Sequence, residues 1–338
     1  MINRLFTNKI LLITGGTGSF GSTILKELIK TKIKEIRILS RDELKQFDLR
    51  AKFPDKRIKY FLGDVRDIDS ISYVFKNVNF VFHAAALKQV PSCEFQPEEA
   101  FKTNVIGSKN VIDNCINNNI SKAIFLSTDK AVNPINVMGM TKSLMEKLVV
   151  SYARKIDQKK TKLIITRYGN VMCSRGSVIP YWVNQIKQNK KVTITDKKMT
   201  RFLMSLDECH KLVFHAFENG KMGDIFVQKS NSATLIDLFY ALQKILKTKS
   251  KYEIVGPRKG EKFHEVLISE TEMPYAKNLK KYFKIENDTN KINHDDFFYI
   301  GDKQIQNKIF EYNSRNEIMK IDKIIRTLLN CDEFKKFL

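Results

Sequence analysis

Cysteine is scarce in this chain, and what there is does not cluster. Five cysteines (Cys93, Cys115, Cys173, Cys209 and Cys331) occur in 338 residues, an odd number with no C-x-x-C spacing. That usage excludes a zinc ribbon or a disulfide scaffold, indicates free thiols in a reducing compartment, and leaves no metal to be expected. Cys93 reads as a small buried hydrophobe rather than a reactive thiol. Long hydrophobic runs are missing too. No apolar stretch approaches the roughly 18 residues of a membrane span, and runs such as Ile10-Leu11-Leu12-Ile13 are short and interrupted. The opening Met1-Ile2-Asn3-Arg4 lacks an apolar signal core and a small-residue cleavage site. A cytoplasmic protein without membrane insertion is expected. There is no internal repeat and no low-complexity linker.

Acidic residues are outnumbered, 37 Asp and Glu against 59 Lys and Arg, giving a formal net charge of +22. Such an excess raises the question of nucleic acid. The lysines do not form one stripe, however. Lys159-Lys160, Lys190-Lys191, Lys247 to Lys251 and Lys280-Lys281 punctuate element boundaries. They read as solvated surface whose field favours an anionic small substrate, with no nucleic-acid partner expected. Apolar residues make up 43% of the chain and aromatics 10%, enough core for one large or two modest domains.

The first half alternates short apolar runs with helical periodicity. Asn8 to Thr14, Glu35 to Leu39, Ile58 to Leu62, Phe80 to His83, Ala123 to Ser127 and Leu163 to Thr166 read as strands. Ser19 to Thr31, Asp42 to Lys52, Ile68 to Lys76, Glu98 to Asn118 and Val137 to Lys155 read as helices. Apolar strands separated by helices imply an α/β fold, a doubly wound parallel sheet covered on both faces. The second half breaks the rhythm. Strands are expected at 191–195, 200–205 and 224–228, and helices at 178–188, 206–219, 235–247 and 318–338, with a polar, loop-rich stretch at 287–302. The domain reading is 1–170 for the dinucleotide, with returning segments near 205–230. A smaller interleaved α/β substrate domain takes 171–204 and 231–284, and 285–338 forms a C-terminal extension.

Gly15-Gly16-Thr17-Gly18-Ser19-Phe20-Gly21 sits between the first strand and the first helix. Gly15, Gly18 and Gly21 would permit a tight turn, close approach of a pyrophosphate and close helix–strand packing. The phosphate would rest on free N–H groups at the helix N-terminus. A plain tight loop is the competing reading, and the strand–helix placement weighs against it. The second strand ends Leu39-Ser40-Arg41-Asp42. A hydroxyl and a guanidinium suit a 2′-phosphate, so NADP is expected. The alternative is NAD, with Asp42 on the ribose; Asp42 as an ordinary helix-start residue is the bland reading.

Ser127-Thr128-Asp129-Lys130 lies at a strand's carboxyl end, where ligands bind in this architecture. An aspartate can serve as general acid and a lysine of lowered pKa as general base; membership of a surface ion pair is the alternative. Lys142 follows Met138 by one helical turn, on the same side of its helix. Met138 reads as wall, not chemistry.

These segments together resemble the extended short-chain dehydrogenase/reductase group. Within it they resemble the UDP-N-acetylglucosamine 4,6-dehydratases of surface polysaccharide synthesis. The resemblance rests on Leu12 to Gly21, Ser40 to Glu43, Gly63 to Asp67, His83 to Lys88, Ser127 to Ala131, Asn133 to Asn136, Arg167 to Val171, Ser174 to Val178, Met199 to Phe202 and Gly260 to Lys262. In that group a Tyr-x-x-x-Lys pair usually stands at the centre, and here Met138 fills the tyrosine slot. Methionine there, with Lys88 to Glu94, resembles the subgroup that also inverts C5. Its product would be UDP-2-acetamido-2,6-dideoxy-β-L-arabino-hex-4-ulose, on the route to UDP-N-acetyl-L-fucosamine for capsule or O-antigen.

The resemblance implies catalytic roles for Asp129 (acid at O6), Lys130 (base at C5) and Lys142 (nicotinamide ribose). It implies cofactor contacts from Thr17, Ser19, Phe20, Asp64, Val65, Ala84, Ala85 and Tyr168, beside the glycines, Ser40 and Arg41. Substrate contacts would come from Lys88, Thr128, Asn170, Ser177 and Val178, with Arg201, Arg258 and Glu261 near the nucleotide. It further implies UDP-N-acetylglucosamine as partner and assembly as a dimer or hexamer. The competing activities are dehydration without net inversion, a 4-epimerase or 4-ketoreductase on the same fold, and a non-catalytic NADP-binding protein.

Overall fold

The computed structural model describes residues 2–156, 160–174, 176–287 and 310–338. Most of the expected 287–302 loop, and Arg175, lie outside the described residues. The first strands are β1 (Ile10–Thr14), β2 (Glu35–Ser40), β3 (Ile58–Leu62), β4 (Phe80–His83), β5 (Lys122–Leu126) and β6 (Lys162–Arg167). After them come β7 (Val192–Ile194), β8 (Thr200–Phe202), β9 (Ile225–Gln228), β10 (Ser232–Thr234), β11 (Tyr252–Ile254) and β12 (Val266–Ile268). The last are β13 (Ala276–Leu279), β14 (Tyr282–Ile285) and β15 (Tyr312–Asn313).

Nine of these form one sheet in the order β3-β2-β1-β4-β5-β6-β9-β14-β13. From β3 to β9 all pairings are parallel; Leu12, for example, lies between Arg37 and Val81. This is the doubly wound sheet expected from the apolar strands. Leu11 and Ile13 face a core with Ile24, Leu28 and Phe217, while Leu12 faces the opposite core with Val111 and Val149. Strand order reverses between β1 and β4, which opens a crevice above the carboxyl ends of the strands.

The antiparallel hairpin β13–β14 extends this sheet beyond β9. The large sheet therefore draws on residues that sequence reading grouped with the smaller domain. A third core joins helices Val178–Lys187, Leu235–Leu246 and Ile321–Leu329 around Trp182, Phe239 and Leu328. The C-terminal segment is thus built into the smaller unit, and β15 pairs with β12.

Three expected helices are interrupted. The Glu98–Asn118 stretch divides into Pro97–Phe101, a π turn at Lys102–Ile106 and Gly107–Asn117. The π turn places Asn104, whose side chain accepts from Leu87 N at 2.8 Å and donates to Thr141 Oγ1 at 3.0 Å. Residues Ile68–Ile71 are α-helical and Ser72–Phe75 continue as a 3-10 turn. The 318–338 stretch divides into Ile321–Leu329 and Asp332–Lys335.

Candidate active site

A cleft of about 620 Å³ lies over the reversal point and gathers the motif residues. All the expected cofactor residues line it: Gly15, Thr17, Gly18, Ser19, Phe20, Gly21, Ser40, Arg41, Asp64, Val65, Ala84, Ala85, Lys142 and Tyr168. So do Asp129, Lys130, Met138, Lys88, Thr128, Asn170 and Ser177. Val178, Arg201, Arg258 and Glu261 do not reach its wall. Val178 starts the helix after Ser177, and Arg258 is exposed, its backbone N–H donating to Glu261 Oε2 at 3.2 Å.

The dinucleotide end fits its expected occupant by shape and by donors. Gly15 has φ +66°, and a Cβ there would lie 2.7 Å from the Ala85 backbone. The helix Ser19–Leu28 starts at Gly18 without a side-chain cap, and its first residues Ser19, Phe20 and Gly21 line the cleft, an arrangement that suits an anion. Phe20 and Tyr168 stack with ring centroids 5.2 Å apart. At the end of β2, Ser40 Oγ lies 2.9 Å from Thr17 Oγ1. Asp42 serves as helix N-cap, its carboxylate accepting from Lys45 N at 2.9 Å and pairing with the Lys45 ammonium. Arg41 stands half-exposed at the rim, 3.4 Å from Asp64. Asp42 is thus engaged by its own helix, and the guanidinium presents the charge.

Lys142 is buried on the helix Val137–Lys155, its Nζ 3.4 Å from Met145 Sδ. Burial lowers its pKa to about 8, against the opposing pull of Glu146. That helix is moored by Glu146, whose carboxylate holds Arg167 at 2.5 Å. Its N-terminus is capped by Asn136, which accepts from Gly139 N at 2.8 Å. Gly139 must be glycine, because a Cβ would collide with the carbonyl oxygen of Lys130. The close approach sets Lys142 and the Asp129–Lys130 turn on one side of the cleft. Met138 is buried beside Cys93 and Ala100, a wall position.

The 3-10 turn Asp129–Ala131 follows the carboxyl end of β5 and puts Asp129 and Lys130 on the cleft wall. The Asp129 side chain is 1% exposed. Its Oδ1 accepts from Thr128 Oγ1 at 2.7 Å and from Lys130 Nζ at 3.2 Å, and its Oδ2 is buried without a partner among the described residues. Burial pushes this carboxyl above the usual carboxylate range, with the charge of Glu265 adding to it and Lys130 opposing. Lys130 is also bound by Glu265 Oε1 at 3.1 Å. Burial alone would lower the Lys130 pKa, but the two carboxylates outweigh it and hold the ammonium up. Sequence reading missed Glu265. It lies three residues past the last motif, and only its arrival beside Lys130 marks it.

A reversal-point cleft, a glycine turn and a buried Asp–Lys pair define an enzyme of the nucleotide-sugar dehydratase/epimerase superfamily on the extended short-chain dehydrogenase/reductase fold. More particularly, residues 11–287 match the family described as polysaccharide biosynthesis protein, and the chain belongs to it. It is 50% identical over 333 residues to a protein of Rickettsia felis named UDP-glucose 4-epimerase, covering 97% of each chain. A protein of the same name from Rickettsia canadensis is 48% identical over 338 residues, covering 99% of this chain and 96% of its own. Among solved structures, Pen from Bacillus thuringiensis is 36% identical with TM-score 0.87, covering 96% of this chain and 99% of that one. The dTDP-glucose 4,6-dehydratase DesIV from Streptomyces venezuelae, solved with NAD and TYD bound, is 20% identical with TM-score 0.69. It covers 75% of this chain and 86% of its own, a likeness of fold alone.

Proposed function

We propose that this enzyme is a UDP-N-acetylglucosamine 4,6-dehydratase that inverts C5 and works with NADP. The observation that carries the reading is Asp129: a carboxyl buried at the cleft wall, held above its ordinary pKa, beside a lysine, with Met138 where a phenol would stand. A carboxyl of raised pKa is a proton donor near neutral pH. Methionine neither gives nor takes a proton.

Bound NADP would supply a hydride acceptor at C4 of the sugar and later a donor at C6. The chain's own groups handle the protons. Asp129 accepts the proton of the 4-hydroxyl. Lys130, as the free amine, takes the C5 proton, and the electrons of that C–H bond become the C5=C6 double bond. The C6–O6 bond breaks, and O6 leaves as water with the proton from Asp129. A solvent-derived proton delivered to C5 on the opposite face inverts it. Because Lys130 is held as the ammonium between two carboxylates, its work as base begins with loss of that proton to solvent in the cleft, where its side chain is 20% exposed. Lys142, buried at the cleft wall, would hold the nicotinamide ribose.

Arg41, with Asp42 engaged as a cap, supports NADP over NAD. Arg201 is mostly buried and pairs with Glu261 at 2.7 Å, which sets a guanidinium behind the substrate end. A homo-oligomer is supported by Phe95, Phe101, Met140 and Leu144, exposed apolar residues on helices that pack together. No helix among the described residues is long and apolar enough to cross a membrane.

The name of the Rickettsia relatives favours a second reading, a UDP-sugar 4-epimerase. An epimerase has no use for an acid at O6 and a base at C5. Incubation with UDP-N-acetylglucosamine and with UDP-glucose, read by mass, separates the two. Loss of one water from the N-acetylated sugar is expected; a new isomer of unchanged mass is the epimerase outcome.

A further inference from the structure

Glu265 does not line the cleft, yet it grips the lysine that does. Its side chain is 3% exposed, and Oε1 lies 3.1 Å from Lys130 Nζ, nearly matching the 3.2 Å from Asp129. Arg201 Nε stands 3.8 Å from the same oxygen. A buried carboxylate of this kind must be held firmly, because an uncompensated charge in the interior is costly. Lys130 and Arg201 hold one carboxylate oxygen, Oε2 is buried without a partner among the described residues, and the C-terminal segment fixes the Glu265 backbone. Glu265 N donates to Ser314 Oγ at 2.9 Å, and Ser314 N donates to Glu265 O at 2.8 Å. Ser314 is itself fully buried, with its hydroxyl 2.5 Å from Thr200 Oγ1.

We propose that Glu265 is a positioning residue, a fixed anion that anchors Lys130 and governs how tightly the Asp129–Lys130 pair holds its protons, and that Ser314 keeps it in place. This rests on reading Asp129 and Lys130 as the acid–base pair. Three observations point the same way. Lys130 bridges two carboxylates of unequal surroundings. Asp129 faces the cleft and has burial driving its pKa up. Glu265 sits behind, where Lys130 and then Arg201 outweigh burial and hold it ionised. Of the two acids, Glu265 stays the anion and Asp129 is the one that takes and gives the proton. Among the described residues Lys262 also acts on them, from the same loop as Glu265 with its ammonium on Val132 O, and the Tyr168 phenol faces the charge of Asp129.

The proton bookkeeping gives a sign. An anion 3.1 Å from Lys130 raises the affinity of the whole pair for protons. Replacing it by a neutral side chain of the same shape lowers that affinity, whichever of the two residues holds the proton. Every limb of the pH–rate profile that reports the pair should then move to lower pH.

The test uses the full-length enzyme and its Glu265→Gln, Glu265→Asp and Ser314→Ala variants, each checked for folding by thermal denaturation. Two readouts are taken: the pH profile of kcat for water loss from UDP-N-acetylglucosamine, and the NMR titration of carbon-labelled Lys130, assigned with Lys130→Arg. Glu265→Gln should move both downward by about one pH unit. Glu265→Asp, which keeps the charge, should hold the profile near its original position at reduced kcat. Ser314→Ala should move it in the same direction as Glu265→Gln by less. A folded Glu265→Gln enzyme with both readouts unmoved overturns the inference. If that variant does not fold, an unchanged kcat in Glu265→Asp together with an unchanged profile in Ser314→Ala overturns it. If the native enzyme releases no water, the dehydratase reading fails, and the Lys130 titration still decides the role of Glu265.

Discussion

Thr128 donates its hydroxyl hydrogen to Oδ1 of Asp129 at 2.7 Å, while Oδ2 of the same carboxyl is buried with no partner among the described residues. One oxygen is fixed and the other is left for a proton. Asp129→Asn keeps the shape and removes the proton exchange. Water loss should fall by about 10² to 10⁴, with binding of the nucleotide sugar, followed by calorimetry, nearly unchanged. An Asn variant within a few-fold of native turnover would remove Asp129 from the chemistry.

Met138 forms wall with Cys93 and Ala100. Met138→Leu should therefore keep turnover within a few-fold, since a volume-conserving swap costs less than about 1.5 kcal/mol. Met138→Tyr should destabilise by about 1–3 kcal/mol through overpacking. Steady-state kinetics and denaturant unfolding read both. A large loss of turnover in the Leu variant would mean that the thioether takes part in the reaction.

Much of this was legible from residue order. β3, β4 and the helices Val137–Lys155 and Leu206–Asn219 begin and end where periodicity places them; β4 is a fully buried run, and the two helices start behind the caps Asn136 and Ser205. The glycine turn and the Asp129–Lys130 pair are local in sequence, and strand-end placement is a rule of the fold. What sequence hid is long-range. Glu265 comes from 135 residues beyond Lys130. Its holder Ser314 comes from a segment with no motif. The π turn at Lys102–Ile106 carries Asn104 onto the Leu87 backbone, a contact that helical periodicity does not encode. Hairpin β13–β14 is short and partly polar, and only pairing with β9 makes it part of the large sheet.

Lys142 gives a pH-dependent stability of definite sign. Its pKa is about 8 in the folded chain and 10.5 as an ordinary lysine. Between those values the unfolded chain binds more protons, so stability should rise with pH across the window, by at most about 3 kcal/mol. Below it the buried ammonium is a full burden on the fold. Denaturant unfolding at the two ends of the window, compared with Lys142→Met, isolates the contribution. The Met variant should show a flatter rise; equal slopes would mean that Lys142 is not desolvated as described.

Arg41 should select the cofactor. Arg41→Ala is expected to weaken NADP by at least about tenfold, the loss of one charge-assisted contact, and to leave NAD within a few-fold. Calorimetric titration with each dinucleotide checks this. Equal losses for both would assign Arg41 a structural role through Asp64.

The most direct measurement follows UDP-N-acetylglucosamine by NMR in D2O with the native enzyme. A 6-deoxy-4-keto product with deuterium at C5 and couplings of the inverted sugar is expected, because the proposed mechanism removes the C5 proton on one face and delivers a solvent-derived one on the other. A 4-epimer of unchanged mass with hydrogen retained at C5 would contradict the dehydratase assignment.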